Sequence, residues 1–307
     1  MPSHVTITGA TGFIGSAVLK ELLFSGTRVT VLLRPDSNIA RLDAMEGFET
    51  LRYSHLLDKS TIDRLRDNKP DVFIHCGWRG VGGHERNEAF QITHNVPTTI
   101  DAVELASAVG CRQWIGLGSQ AEYGNLNRRI SEDAPLNPTT VYGKAKLAAG
   151  VATLALCETR KIAGVWMRVF STYGPGDAPY WFIPYVIQEF LAGRAPNLTK
   201  CEQIWDYLYV GDAARAVARI ANGATAGVFN LGSGFARPLK EIIEAIRMQL
   251  APGIAPAYGA LPYRPDQVMH LEADISRLQA ATAWRPTMNL ADGIRTTVAF
   301  ERTRTFF

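Results

Sequence analysis

The chain has 307 residues, 47% of them hydrophobic, with 32 Lys and Arg against 29 Asp and Glu for a net charge of +3. That length and apolar content suffice for one large core or two adjoining ones and exclude a disordered, collagenous or disulfide-miniprotein chain. A nearly balanced charge gives no reason to expect nucleic acid or an anionic membrane, so any phosphate must be met by a local site.

Cys76, Cys111, Cys157 and Cys201 are widely scattered, with no CxxC pair or zinc-knuckle spacing. They read as reduced thiols, and no metal is expected. The N-terminus has no basic leader and no stretch reaches the length of a membrane span, so a cytoplasmic protein is expected.

Short apolar runs predict strands at residues 5–8, 28–33, 49–53, 72–76, 113–116 and 164–170, with helical patterns between them. This alternation predicts an α/β fold: a Rossmann doubly wound parallel sheet with crossover helices. Residues 15–24 carry Val18, Leu19, Leu22 and Leu23 at helical spacing, and Gly26 follows as a left-handed cap. After Phe170 the texture changes to shorter elements with many prolines, which predicts a smaller, discontinuous α/β substrate-binding domain. The expected division is residues 1–170 for the dinucleotide-binding part, with a returning segment at about 206–232. Residues 171–205 and 233–307 make up the second part.

Between the first strand and first helix stands Thr8-Gly9-Ala10-Thr11-Gly12-Phe13-Ile14-Gly15. Glycine here permits a tight turn and close approach of backbone to a pyrophosphate, and the helix N-terminus favours the anion. Gly9, Thr11, Gly12, Phe13, Ile14 and Gly15 are therefore expected to bind a dinucleotide. The acidic residue that usually closes the second strand and holds the adenosine ribose is absent, and Arg34 ends that strand instead. A guanidinium binds a 2'-phosphate but cannot accept the ribose hydroxyls, so NADP is expected over NAD.

Tyr142 and Lys146 lie four residues apart on a helical pattern and share a face. An ammonium near a phenol would favour its ionised form and make it useful in proton transfer. The spacing alone also fits an ordinary helix with a partly buried tyrosine and a solvated lysine.

Together these residues resemble the extended short-chain dehydrogenase/reductase family, whose members mostly modify nucleotide-linked sugars. The resemblance covers nearly the whole chain. It is carried by the glycine loop, Asn95, Gly118-Ser119-Gln120-Ala121-Glu122-Tyr123-Gly124, Tyr142 with Lys146, and Arg168-Val169-Phe170-Ser171-Thr172-Tyr173-Gly174-Pro175-Gly176. It continues through Asp206-Tyr207-Leu208-Tyr209-Val210-Gly211-Asp212, Phe229-Asn230-Leu231-Gly232-Ser233-Gly234, Arg264-Pro265-Asp266, Ala273-Asp274-Ile275 and Trp284-Arg285-Pro286. The resemblance implies that Ser119 hydrogen-bonds the reacting oxygen, Tyr142 exchanges its proton, and Lys146 binds the nicotinamide ribose while lowering the tyrosine pKa. It further implies that Asn95 positions a helix, that Arg264 holds the nucleotide diphosphate, that Phe182, with Ile183 and Pro184, shapes the sugar or base pocket, and that Gln120 is among the substrate-binding residues. A homodimer through helices at about 95–109 and 140–157 is implied as well.

The sequence departs from the family pattern at His55, at Cys76-Gly77-Trp78 and at Trp205. His84 either faces substrate or is an exposed loop histidine, and Trp205 either stacks on a ligand or packs. Dehydratases of the family place an acidic pair after the serine, where this chain has Gln120 and Ala121, so dehydration is disfavoured, with Glu122 keeping it open. Arg34 argues against an epimerase with tightly bound NAD. The favoured expectation is NADPH-dependent reduction of a nucleotide-linked 4-keto-6-deoxyhexose, nearest to the 4-ketoreductase branch that includes CDP-abequose synthases. A nucleotide-sugar 4-epimerase is the alternative, and a dinucleotide-sensing regulatory protein is the non-enzymatic one.

Overall fold

A computed structural model describes residues 2–265 and 267–304. Asp266 of the Arg264-Pro265-Asp266 motif therefore lies outside the described residues. The chain runs β1 (His4–Thr8), α1 (Phe13–Phe24), β2 (Arg28–Leu33), β3 (Glu49–Arg52), α2 (Lys59–Asn68), β4 (Val72–His75), α3 (Val96–Ala108), β5 (Gln113–Ser119), β6 (Arg128–Ile130), α4 (Val141–Arg160) and β7 (Ala163–Val169). It continues through β8 (Ser171–Tyr173), α5 (Phe182–Leu191), β9 (Asn197–Leu198), β10 (Ile204–Tyr209), α6 (Val210–Ala221), β11 (Gly227–Leu231), β12 (Ala236–Pro238), α7 (Leu239–Leu250), β13 (Ala257–Tyr258), β14 (His270–Ala273), α8 (Ser276–Thr282) and α9 (Leu290–Arg304).

Seven parallel strands form the main sheet in the order β11-β7-β5-β4-β1-β2-β3. The winding reverses between β1 and β4, which opens a crevice at their C-terminal ends, the place where such sheets bind ligands. β1, β4 and β5 are buried along their whole length because helices cover both faces, so even the polar His4, Thr6, Thr8 and Gln113 in them are out of solvent. α1 packs with α6, and α2, α3 and α4 form a separate packed row. Gly26, at φ +74°, closes α1 by donating to Leu23 O at 2.9 Å, the left-handed cap the sequence predicts.

Of the strands in the expected returning segment at about 206–232, β11 alone joins this sheet, beside β7. β10 lies in a second sheet of order β12-β10-β14-β6, and β8 pairs with its C-terminal half, Tyr207 to Tyr209. A helical layer of α5, α7 and α9 shares a core of Ile183, Ile187, Phe190, Ile243, Ile246 and Ile294 with Tyr173 at the end of β8.

Two elements differ from expectation next to the crevice. β5 runs on to Ser119 rather than stopping at Gly116, because Leu117, Gly118 and Ser119 keep register with Met167, Arg168 and Val169. Gly118 makes this possible: a Cβ there would lie 2.3 Å from Trp166 Nε1. The helix expected from Asn95 is entered through a π-helical turn, Gln91–Asn95, before α3 begins. Among the described residues no helix is long and apolar enough to cross a membrane.

Candidate active site

The glycine loop sits at the C-terminal end of β1. Gly9 has φ +71° and touches the chain beyond β4, where a Cβ would be 2.5 Å from Gly77 N, and a Cβ on Gly15 would be 2.1 Å from Gly9 O. These two glycines are required for packing. Gly12 differs: the one atom near its Cβ position is Gly9 O, at 3.2 Å, and it is exposed. It caps α1 with no side-chain hydrogen bond, and the first turn, with Phe13, Ile14 and Gly15, holds no acidic residue. The open backbone at Gly12 and an uncapped helix N-terminus fit a pyrophosphate.

Arg34 ends β2 on the same side of the sheet, its side chain 53% exposed and 3.6 Å from Asp36. Arg41, which the sequence reading did not single out, spans the crevice by donating to Thr11 O at 3.2 Å and Gly176 O at 2.8 Å.

Ser119, Tyr142 and Lys146 converge at the other end, 7%, 7% and 4% exposed respectively. Thr140 starts α4 by accepting from Gly143 N at 3.1 Å, which sets Tyr142 and Lys146 in its first turns. Ser119 closes β5 and its hydroxyl accepts from Ala121 N at 3.2 Å, leaving its own proton to donate. The Ser119 side chain lies within reach of the Tyr142 phenol. Burial raises the Tyr142 phenol above its ordinary pKa, against the Ser119 hydroxyl and the Arg86 guanidinium, which lower it, while Glu122 adds to the rise.

Lys146 meets other groups more closely than the Tyr142 phenol. Its ammonium donates to Leu117 O at 2.7 Å, lies 3.6 Å from the Trp78 ring centroid and 5.9 Å from that of Tyr142, and burial lowers its pKa to about 7. The cation acting on the phenol is Arg86, whose guanidinium carbon is 5.0 Å from the Tyr142 ring centroid and whose carbonyl accepts Tyr142 N–H at 2.8 Å. Nothing in the local spacing marks Arg86, which arrives from a distant loop.

Glu122 is fully buried and acts on the structure of the site. Its Oε1 accepts Ser119 N–H at 2.8 Å and Trp166 Nε1 at 3.0 Å, and its Oε2 accepts Arg168 Nε at 2.8 Å. Ser119 and Glu122 form a capping box around the 3-10 turn Gln120–Glu122, which pins the serine. Gln120 is partly buried in that turn. Asn95 braces the loop after β4 by accepting Arg79 N–H at 3.0 Å and donating to Arg79 O at 2.9 Å.

The remaining expected contacts lie farther out. Phe182 opens α5 and stacks on Tyr207 with centroids 6.5 Å apart. Arg264 is exposed, as is His84 in the 3-10 turn Gly83–Glu85. Trp205 donates to Ser171 Oγ at 2.6 Å and packs against two of the cores, which is the packing alternative. Among the described residues no group of three or more His, Cys, Asp or Glu would hold a metal ion.

A phenol and a hydroxyl aimed at one point, beside a dinucleotide-type crevice, suit proton exchange with an oxygen that gains or loses hydride. Comparisons with known proteins agree with that chemistry. The chain is 27% identical to a UDP-glucose 4-epimerase of Mycolicibacterium smegmatis over 310 residues, spanning 97% of this chain and 98% of that protein. It is 26% identical to a dTDP-glucose 4,6-dehydratase of Streptomyces griseus, spanning 98% and 94%. Among solved structures it is similar to MoeE5 in complex with UDP-glucuronic acid and NAD, at 26% identity and a TM-score of 0.83, covering 98% of this chain and 99% of that one. Residues 5–232 match the NAD dependent epimerase/dehydratase family, and the chain belongs to it, with the Rossmann fold and nucleotide-sugar chemistry of the extended short-chain dehydrogenase/reductases.

Proposed function

We propose that the chain is an NADPH-dependent 4-ketoreductase acting on a nucleotide-linked 4-keto-6-deoxyhexose. The observation that carries this reading is Arg34, a half-exposed guanidinium at the end of β2 where an NAD site needs a ribose acceptor. Glu122 supports it by elimination: a carboxylate committed to Ser119 N–H, Trp166 and Arg168 is not free to move protons for a dehydration.

The dinucleotide, when bound, supplies hydride to C4 of the sugar. Gly12 and the start of α1 would hold its pyrophosphate, Arg34 its 2'-phosphate and Lys146 its nicotinamide ribose. Ser119 donates a hydrogen bond to the C4 oxygen as negative charge develops there, and Tyr142 transfers its phenolic proton to that oxygen. Arg86 stabilises the phenolate that remains. We assign residues 171–205 and 233–307, together with the rest of β10, to the nucleotide sugar, Phe182 and Gln120 to the substrate pocket and Arg264 to the diphosphate. The cytoplasm is the expected compartment. A homodimer is supported by α4, which packs on α3 and still presents Val151 at 63% exposure.

A 4-epimerase that keeps its dinucleotide is the second reading, favoured by the relatives and by the NAD in the MoeE5 complex. The two are separated by absorbance at 340 nm. Purified protein is mixed with freshly generated 4-keto-6-deoxy sugars linked to CDP, dTDP, GDP or UDP, and with NADPH or NADH. Stoichiometric NADPH oxidation, with preference lost in Arg34→Asp, is the expected result. Interconversion of two non-keto sugar nucleotides with no cofactor consumed would establish the epimerase instead.

A further inference from the structure

Trp78 is one of the residues by which this chain departs from the family pattern, and it lies in the loop after β4, at the crevice. Its indole is fixed from behind. Nε1 donates to Gln91 Oε1 at 2.8 Å, Asn95 Nδ2 donates to the same oxygen at 3.0 Å, and Gln91 Nε2 donates to Glu85 O at 3.1 Å and to Gly80 O. The π-helical turn Gln91–Asn95 is what places these two amides against one loop.

A ring held this way presents its face to the Lys146 ammonium, 3.6 Å from Nζ, and meets Tyr142 edge-on at 6.0 Å and 85°. Trp166 also faces the ammonium, but at 5.8 Å. The one hydrogen bond that the Lys146 ammonium makes among the described residues is to Leu117 O. The titratable and charged groups around it are Glu122 from the 3-10 turn, His75 and Cys76 from the end of β4, and Tyr142 with Arg86 beyond it. Burial keeps His75 neutral, with its pKa lowered to about 3, and pushes the Cys76 thiol up to about 12, so neither offers a countercharge at neutral pH. Glu122 has both oxygens occupied by other donors.

We propose that Trp78 is a positioning residue that holds the Lys146 ammonium charged and aimed for the nicotinamide ribose through the face of its indole. The negative ring face attracts a cation without accepting any one N–H in a fixed direction. The ammonium's remaining donors are thereby left for ribose hydroxyls, which a carboxylate in the same place would capture. The inference concerns dinucleotide binding alone, so neither reductase nor epimerase turnover enters its test.

The test compares Trp78→Phe, which keeps an aromatic face, with Trp78→Leu, which keeps apolar bulk without one. NADPH and NADH are titrated into the full chain by fluorescence from pH 6 to 9, with Lys146→Met as the reference for loss of the amine and thermal melting to verify folding. Trp78→Leu should weaken binding about tenfold at pH 8, the order of a desolvated cation–ring contact, and recover most of it at pH 6, where the amine regains its proton. Trp78→Phe should stay within about threefold of wild type with an unchanged pH dependence, and Lys146→Met should abolish that dependence. Equal losses in the two Trp78 variants with the same pH profile would reduce Trp78 to packing. No loss in either, or a pH dependence that survives in Lys146→Met, would likewise overturn the proposal.

Discussion

Glu122→Gln separates a structural carboxylate from a catalytic one. The substitution keeps the shape of the side chain but removes the charge that faces Arg168, itself 6% exposed, and turns an amide N–H₂ toward at least one group that now donates to the carboxylate. Removing one partner of a buried ion pair costs about 3–5 kcal/mol. Arg168 retains Tyr123 Oη at 2.9 Å and Glu132 O at 3.3 Å, which places the cost at the lower end, about 3 kcal/mol. With an unfolding entropy of about 2.1 cal/mol/K per residue, this chain loses about 0.6 kcal/mol per degree at its midpoint, so Tm should fall by about 5 °C. Turnover of folded protein should fall less than tenfold, through loosening of Ser119. Thermal unfolding by circular dichroism and steady-state turnover on the same preparation read both quantities. A Tm within about 1 °C of wild type together with a loss of a hundredfold or more in turnover would refute the structural assignment and return Glu122 to acid–base chemistry.

Tyr142→Phe should lower turnover about a hundredfold or more while leaving dinucleotide affinity within a few-fold, and Ser119→Ala should fall between it and wild type. Near-parental turnover in the phenylalanine variant would remove Tyr142 as the proton donor. Arg86→Gln should move the phenol further up, because the guanidinium is a cation that lowers it; in the reducing direction, which needs the protonated phenol, the high-pH fall of kcat/KM should shift upward. An unmoved limb would show that Arg86 does not act on Tyr142. Asp177, 5% exposed, has its carboxyl raised to about 7 by burial, with Ala178 N–H and Arg41 opposing and Glu301 adding. The folded chain then binds this proton more tightly than the unfolded chain, so stability from it is present below about pH 4 and is lost as pH rises toward 7. Asp177→Asn keeps an acceptor for Ala178 N–H and should raise Tm at pH 8 by about 7 °C while leaving it nearly unchanged at pH 4. A Tm difference that does not vary with pH would contradict that linkage.

The main sheet was legible because strands buried on both faces cannot hide their apolar runs. β10 was placed less well, and the reason is visible in its burial: Asp206 and Leu208 are buried while Ile204, Trp205, Tyr207 and Tyr209 are not, the alternation of a strand with one covered face. Its stretch Tyr207-Leu208-Tyr209 has the composition of a core strand because Tyr counts as apolar, yet its period points to a different sheet. The π-helical turn escaped for a related reason. Gln91 and Asn95 are four apart, the spacing of an ordinary helical turn, and only the loop that their amides grip reveals the widened backbone.

Within the site, what local spacing encodes was read and what space alone brings together was not. The four-residue step from Tyr142 to Lys146 puts both in the crevice, but spacing does not say what each faces. Lys146 rests on Trp78 and Leu117 O, and the phenol takes its cation from Arg86, on a loop far upstream. Glu122 shows the converse, a structural role that the sequence did carry. Ser119 and Glu122 stand at the spacing of a capping box, a signal of a pinned serine that proximity to the catalytic residues obscured. A carboxylate three residues after a catalytic serine is therefore first to be tested as the cap that fixes it. Only one with a free oxygen facing the crevice has the geometry to move a proton.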